Sequence, residues 1–131
     1  MSEPELPAEV WQLIYSSVPS IDALEVLMQV VRHQDRPRTV AELIEALRPT
    51  AVTEPVVRES LALFRTQGIL SESPEGRILC RPDAPEAERA IGLLLRAYNE
   101  RPVTLIRTVY AIADAKKIQA FADAFKIKKD E

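Results

Sequence analysis

Between Thr39 and Pro82 the spacing of apolar residues changes from a helical period to a strand-like one across a single glycine, Gly68. Upstream, TVAELIEAL carries Val40, Leu43, Ile44 and Leu47 at helical spacing, and Thr39 with Glu42 is a capping-box pattern that opens it. RPTAV reads as a turn. The next helix is TEPVVRESLALFRTQ, with Thr53 as its expected cap and Pro55 in a first turn whose amides lack partners anyway. Val57, Leu61 and Phe64 form its inner face. Gly68 stands where a left-handed residue is wanted after a helix. Beyond it, ILSESPEGRILC reads as two β segments joined by a Ser-Pro-Glu-Gly turn at 73–76. This order confines the segment to two short helices and a hairpin around one small core.

The flanks are helical. A first helix is expected over 7–18, with Trp11, Ile14, Tyr15 and Val18 on one face. Pro19 interrupts it and Ser20 caps the next, 21–33, which is apolar nearly all round and so must be covered on both sides. HQDRPR, with Pro37, reads as a loop. Asp83 with Glu86 is a second capping-box-like start, for a helix to about Asn99 with Ile91, Leu94, Leu95 and Tyr98 inward. Pro102 kinks the chain or starts another helix. Val103, Ile106, Val109, Tyr110 and Ala113 continue an apolar face. A last helix is expected from about Asp114, and KIKKDE as a frayed end.

A chain of 131 residues with 47% apolar content can bury a core without covalent staples. Cys80 is the only cysteine, so no internal disulfide forms, and a reducing compartment is expected. No apolar run reaches the roughly twenty residues that span a bilayer. MSEPELPAEV lacks the pattern of a secretory signal. The expected location is the cytoplasm, without membrane association. The net charge is −3, and residues 32–81 hold eight arginines against seven acids. Phosphate binding there would depend on arrangement and not on bulk charge.

The spacing of the central segment, with its Gly-Ile-Leu tail and hairpin arginines, resembles the winged helix-turn-helix domains of bacterial transcription regulators. The resemblance covers residues 21–82. It implies a mainly α fold with a small β wing: an arm at 1–19, a winged helix-turn-helix at 20–82, and helices at 83–131 for dimerisation or packing. It also implies double-stranded DNA as partner and a homodimer, whose need is independently suggested by the surplus of apolar helix faces. On that reading Arg58, foremost, with Thr53, Glu54 and Arg65 on the same outer helix face, meets base edges. Arg36, Arg38, Arg77 and Arg81 are phosphate contacts. Glu54 and Glu59 repel phosphate unless Glu54 accepts from a cytosine amine or pairs with Arg58 at i+4. The alternative is a winged-helix module that binds protein and not DNA, as the acidic balance suggests.

Enzymatic chemistry finds no support in the sequence. A Ser-His-acid arrangement would have to use His33, the only histidine, which is better placed near a helix C-terminus. A zinc site needs several Cys or His, and no Gly-rich phosphate loop occurs. Neither a metal nor a cofactor is expected. Cys80 alternates with Ile78 and reads as a small hydrophobe in preference to a redox sensor. Lys116, Lys117, Lys126, Lys128 and Lys129 hold all the lysine, read as a solubilising face before a contact for DNA or an acidic partner. Trp11, Tyr15, Tyr98, Tyr110, Phe121 and Phe125 lie outside the central segment, as core or dimer interface before an effector pocket.

Overall fold

The computed structural model describes residues 6–129, with side chains as far as Phe125. At its centre is the helix Ile21–Val31 (α2). Ala23, Leu24, Val26, Leu27, Met28, Val30 and Val31 are buried over most of its circumference, leaving only the half-exposed polar stripe Asp22, Glu25 and Gln29. Ser20 fixes its start by accepting from the Ala23 amide at 3.1 Å. Ala8–Ser17 (α1) precedes it. Val40–Leu47 (α3), Glu54–Thr66 (α4), Pro85–Glu100 (α5) and Pro102–Lys129 (α6) follow. Three strands, Arg38–Thr39 (β1), Leu70–Glu72 (β2) and Arg77–Cys80 (β3), form an antiparallel sheet in the order β1-β3-β2. The fold is therefore mainly helical with one small sheet. Helix α2 touches α3, α4, α5, α6 and β3, so helices and sheet share a single core.

Local signals act where the sequence puts them. Thr39 and Glu42 close a reciprocal capping box, with Glu42 Oε1 accepting from the Thr39 amide at 3.0 Å and Thr39 Oγ1 from the Glu42 amide at 3.2 Å. Val57, Leu61 and Phe64 are buried, which docks α4 inward. Gly68 has φ +76° and Gly76 φ +80°, one ending α4 and the other closing the hairpin turn. Ser73 holds that turn by donating its amide to the Arg77 carbonyl at 2.8 Å and accepting from the Arg77 amide at its Oγ. The hairpin register pairs Leu70 with Cys80 and Glu72 with Ile78.

Four elements differ from the sequence expectation. The end of the expected 33–38 loop, with the cap residue after it, is strand: Arg38 and Thr39 pair with Ile78 and Arg77. A two-residue strand has no alternation to read, and its partner lies forty residues away. In α1 the inner stripe is Val10, Leu13, Ile14 and Val18, whereas Trp11 and Tyr15 stand half out, stacked with centroids 5.3 Å apart. At α5 the capping box does not form. Pro85 takes the first helical position, so Ala84 is the cap and Asp83 falls one residue early. Finally, α6 runs unbroken from Pro102 through Asp114 to Lys129, beyond the expected fraying at 126. No Gly or Pro follows Pro102 to stop it. The break falls earlier, at Arg101, whose φ −138° and ψ 54° separate α5 from α6.

Two glycines separate conformational need from convenience. A Cβ on Gly68 would meet the Asp83 carboxylate and a left-handed backbone together, whereas one on Gly92, in α5, meets nothing. Gly68→Ala is expected to lower stability by about 1–2 kcal/mol. Gly92→Ala should raise it by about 0.5–1 kcal/mol. Urea unfolding midpoints check both signs.

Candidate nucleic-acid interface

Because Val57, Leu61 and Phe64 bury one side of α4, the opposite side is forced outward. Glu54, Arg58, Glu59, Ala62 and Arg65 are all exposed along it. Thr53 occupies the N-cap position and is exposed, but its hydroxyl makes no cap hydrogen bond. The nearby hydroxyl that does organise the turn is Thr50, which donates to the Leu47 carbonyl at 2.6 Å and accepts from the Val52 amide. Strand β2 leaves α4 directly after Gly68, so the hairpin stands at the end of this face.

The arginines of the face are paired. Arg58 donates from Nε and Nη2 to Glu54 Oε1 at 3.2 and 3.0 Å. Arg65 reaches Glu72 of β2 at 2.9 Å. Arg77 donates to the Pro37 carbonyl at 2.7 Å and to Glu42 Oε1 at 3.4 Å. The backbone and side-chain hydrogen bonds from Thr39 hold the Glu42 carboxyl below its ordinary value, and the nearby Arg77 and Arg38 act in the same direction. Arg38 turns inward from β1, donating to the Gln29 carbonyl at 2.8 Å and to Gln29 Oε1 at 2.9 Å. It ties β1 to α2. Only Arg36 and Arg81, of the eight residues singled out in the sequence with Thr53 and Glu54, are arginines without an ion pair or side-chain hydrogen bond among the described residues.

The structure thus groups these residues in three places. Glu54, Arg58 and Arg65 share the α4 face, with Thr53 at its start. Arg38 and Arg77 lie where β1 meets β3, beside the start of α3, and Arg36 stands in the loop two residues before β1. Arg81 lies at the base of the hairpin, in a cleft with Gln34, Cys80 and Glu88, away from α4. Sequence reasoning anticipated the Glu54–Arg58 pair from its i+4 spacing. It missed Glu72, Glu42 and Gln29, because each meets its arginine only through tertiary folding. The exposed pairs are weak. Arg58 and Glu54 have side chains 60% and 55% exposed, so their link contributes about 0.3–0.5 kcal/mol. They neutralise the face without locking it.

The remaining candidates take structural positions. Cys80 is half-buried, and burial pushes its thiol from 9.0 up to about 11, with Glu88 adding to the rise. A thiolate sensor requires the opposite shift. His33 lies exposed, one residue past the Arg32 cap of α2. Tyr98 donates to Glu25 at 2.9 Å, and burial with that bond raises its phenol. Trp11 borders a shallow groove of about 650 Å³ with Gln12, Thr104 and Thr108. The other five late or early aromatics are not in that groove. Lys116 donates to the Tyr15 carbonyl at 2.7 Å and covers its ring. The side chains of Lys126, Lys128 and Lys129, and the N-terminal residues 1–5 read for a signal, lie outside the described ones. Among the described residues no His, Cys, Asp and Glu group could hold a metal ion, and no helix is long and apolar enough to cross a membrane. No family model, curated protein or solved structure matches the chain.

Burial of Cys80 gives a pH test of this packing. Between pH 9 and about 11 the folded chain keeps a thiol proton that the unfolded chain has released. Stability is then complete below pH 9 and falls as pH rises through that window. Cys80→Ala should flatten the decline, leaving the part at higher pH that belongs to Tyr98. Unfolding midpoints measured from pH 8 to 11 check it; an unchanged slope in the variant would place the thiol in water.

Proposed function

We propose that the chain is a winged-helix DNA-binding regulator, with residues 20–82 as the DNA-binding unit and the flanking helices supporting a dimer. One observation carries this reading. Helix α4 is docked by Val57, Leu61 and Phe64, and its outer side is free along its length, directly before a hairpin in a sheet of order β1-β3-β2. A single exposed helix of this kind enters the major groove, and the hairpin then lies over the adjoining backbone. The single cysteine fits a cytoplasmic setting.

Arg58 is the reading residue in this scheme. Its guanidinium leaves Glu54 for the O6 and N7 of a guanine. The exchange is favourable, since the exposed pair contributes about 0.3–0.5 kcal/mol and a bidentate base contact about 1–3 kcal/mol. Glu54, once released, is placed to accept from a cytosine amine. Arg65 and Arg77 make the same kind of exchange with phosphates, while Arg36 is already free to do so. Arg38 contributes by holding β1 and not by touching DNA. Two copies about a twofold would read half-sites roughly one helical turn apart.

A second reading, a protein-binding module, is favoured by the pairing itself. Each of Arg58, Arg65 and Arg77 already faces a carboxylate, and the net charge is −3. A salt titration on mixed-sequence duplex separates the two. Steep loss of binding with salt supports DNA; no binding at low salt supports the protein partner. On a selected site, Arg58→Ala should weaken binding by about 1–3 kcal/mol. Glu54→Gln should tighten binding to random duplex, because it removes a negative charge and frees Arg58.

A further inference from the structure

Helix α6 leaves the body of the protein halfway along its length. Leu105, Val109 and Ile112 are buried against the other helices, but every residue from Asp114 to Phe125 is exposed. The Lys116 bond to the Tyr15 carbonyl is its one hydrogen bond to another element in this stretch, among the described residues. A helix of about a dozen residues is marginal in water on its own. On the side opposite the buried residues runs an apolar stripe: Val103, Ile106, Tyr110, Ile118, Phe121 and Phe125. These positions follow i, i+3, i+7, i+15, i+18 and i+22, so they share one face over about 33 Å. They are among the most exposed large apolar residues of the protein, Phe121 at 74% and Ile118 at 70%. Asp114 and Lys117 interrupt the stripe near its middle, and Arg107 lies on the same side nearer its start.

We infer that this stripe is covered by the same helix of a second copy, laid antiparallel. The two interrupting charges select the arrangement. With Asp114 facing Lys117 of the other copy, Tyr110 falls against Phe121, Ile106 against Phe125 and Ala113 against Ile118, each twice about the twofold. A parallel, in-register pair would set Asp114 on Asp114 and Lys117 on Lys117, which like charges oppose. The area suffices. Three aromatic rings at about 150–250 Å² each, with three aliphatic side chains, supply an amount on the order of the roughly 800 Å² per partner of a stable interface. A lipid surface is less suitable, because Asp114 would sit amid the face that enters the acyl region. This deepens the dimer of the proposed function by naming its surface and register. It is read from α6 alone.

Sedimentation equilibrium of the full chain without DNA tests it, so the outcome is independent of DNA binding. The wild type should be dimeric, and Phe121→Glu monomeric, with no more far-UV helical signal lost than the projecting end of α6 accounts for. Asp114→Lys and Lys117→Asp should each weaken self-association about tenfold or more, since each places two like pairs across the twofold. An equimolar mixture of the two variants should recover a dimer, because every cross-pair is then opposite in sign. A pair of charges within one helix cannot produce that recovery. A monomeric wild type, or a mixture that stays as weak as its components, overturns the proposal. So does a monomer that sediments with phosphatidylglycerol vesicles, which would assign the stripe to a membrane. If dimerisation holds while duplex binding is absent, the DNA reading falls and this one stands.

Discussion

The structure depends on the burial of one short helix over most of its circumference. Apart from the narrow, half-exposed stripe of Asp22, Glu25 and Gln29, helix α2 has no polar surface to offer water, so its neighbours must contribute apolar faces to it. Helices α3 and α4 and strand β3 cover part of its circumference, and α5 and α6 cover more of it. At about 25 cal/mol per Å² of apolar surface, its buried Leu, Val and Met side chains each contribute on the order of 1.5–3 kcal/mol. No surface ion pair of this protein approaches that. The consequence is positional: with α2 covered, α4 can expose only the side away from it, and α6 only its outer stripe.

The two outward faces have opposite chemistry. Along α4 the exposed residues are charged and mutually neutralised, with Arg58 on Glu54 and Arg65 on Glu72. Such pairs cost little to exchange, so the face keeps its options in solution and commits only against a partner with stronger charges. Along the outer stripe of α6 the exposed residues are mainly Val, Ile and aromatic, which water disfavours regardless of partner. One surface suits reversible polar recognition and the other suits permanent cover. That division is consistent with a module that assembles through one end and grips through another.

Much of the architecture was legible before any coordinates. The change of period across Gly68, the capping box at Thr39 and Glu42, and the all-round apolar pattern of residues 21–31 each reflect interactions within a few residues. Strand β1 was not legible, because Arg38 and Thr39 acquire their strand geometry from Ile78 and Arg77. The cap at Asp83 failed through a one-residue offset that Pro85 decides. At the candidate site, Arg58 with Glu54 was readable as an i+4 pair. The engagement of Arg38 with Gln29, and of Arg77 with Pro37 and Glu42, was not.

The amino-acid sequence by itself determined most of the helical segments, where the glycine stops fall and which faces of α3 and α4 must be buried, since periodicity, caps and backbone sterics act over one or two turns. Tertiary structure alone decided which charges meet, that Trp11 and Tyr15 stand half in water, and that α6 continues past the body with a bare apolar stripe. These outcomes turn on distances between residues far apart in the chain. Local pattern says that a face is apolar; only the packed arrangement says whether anything in the same chain is there to cover it.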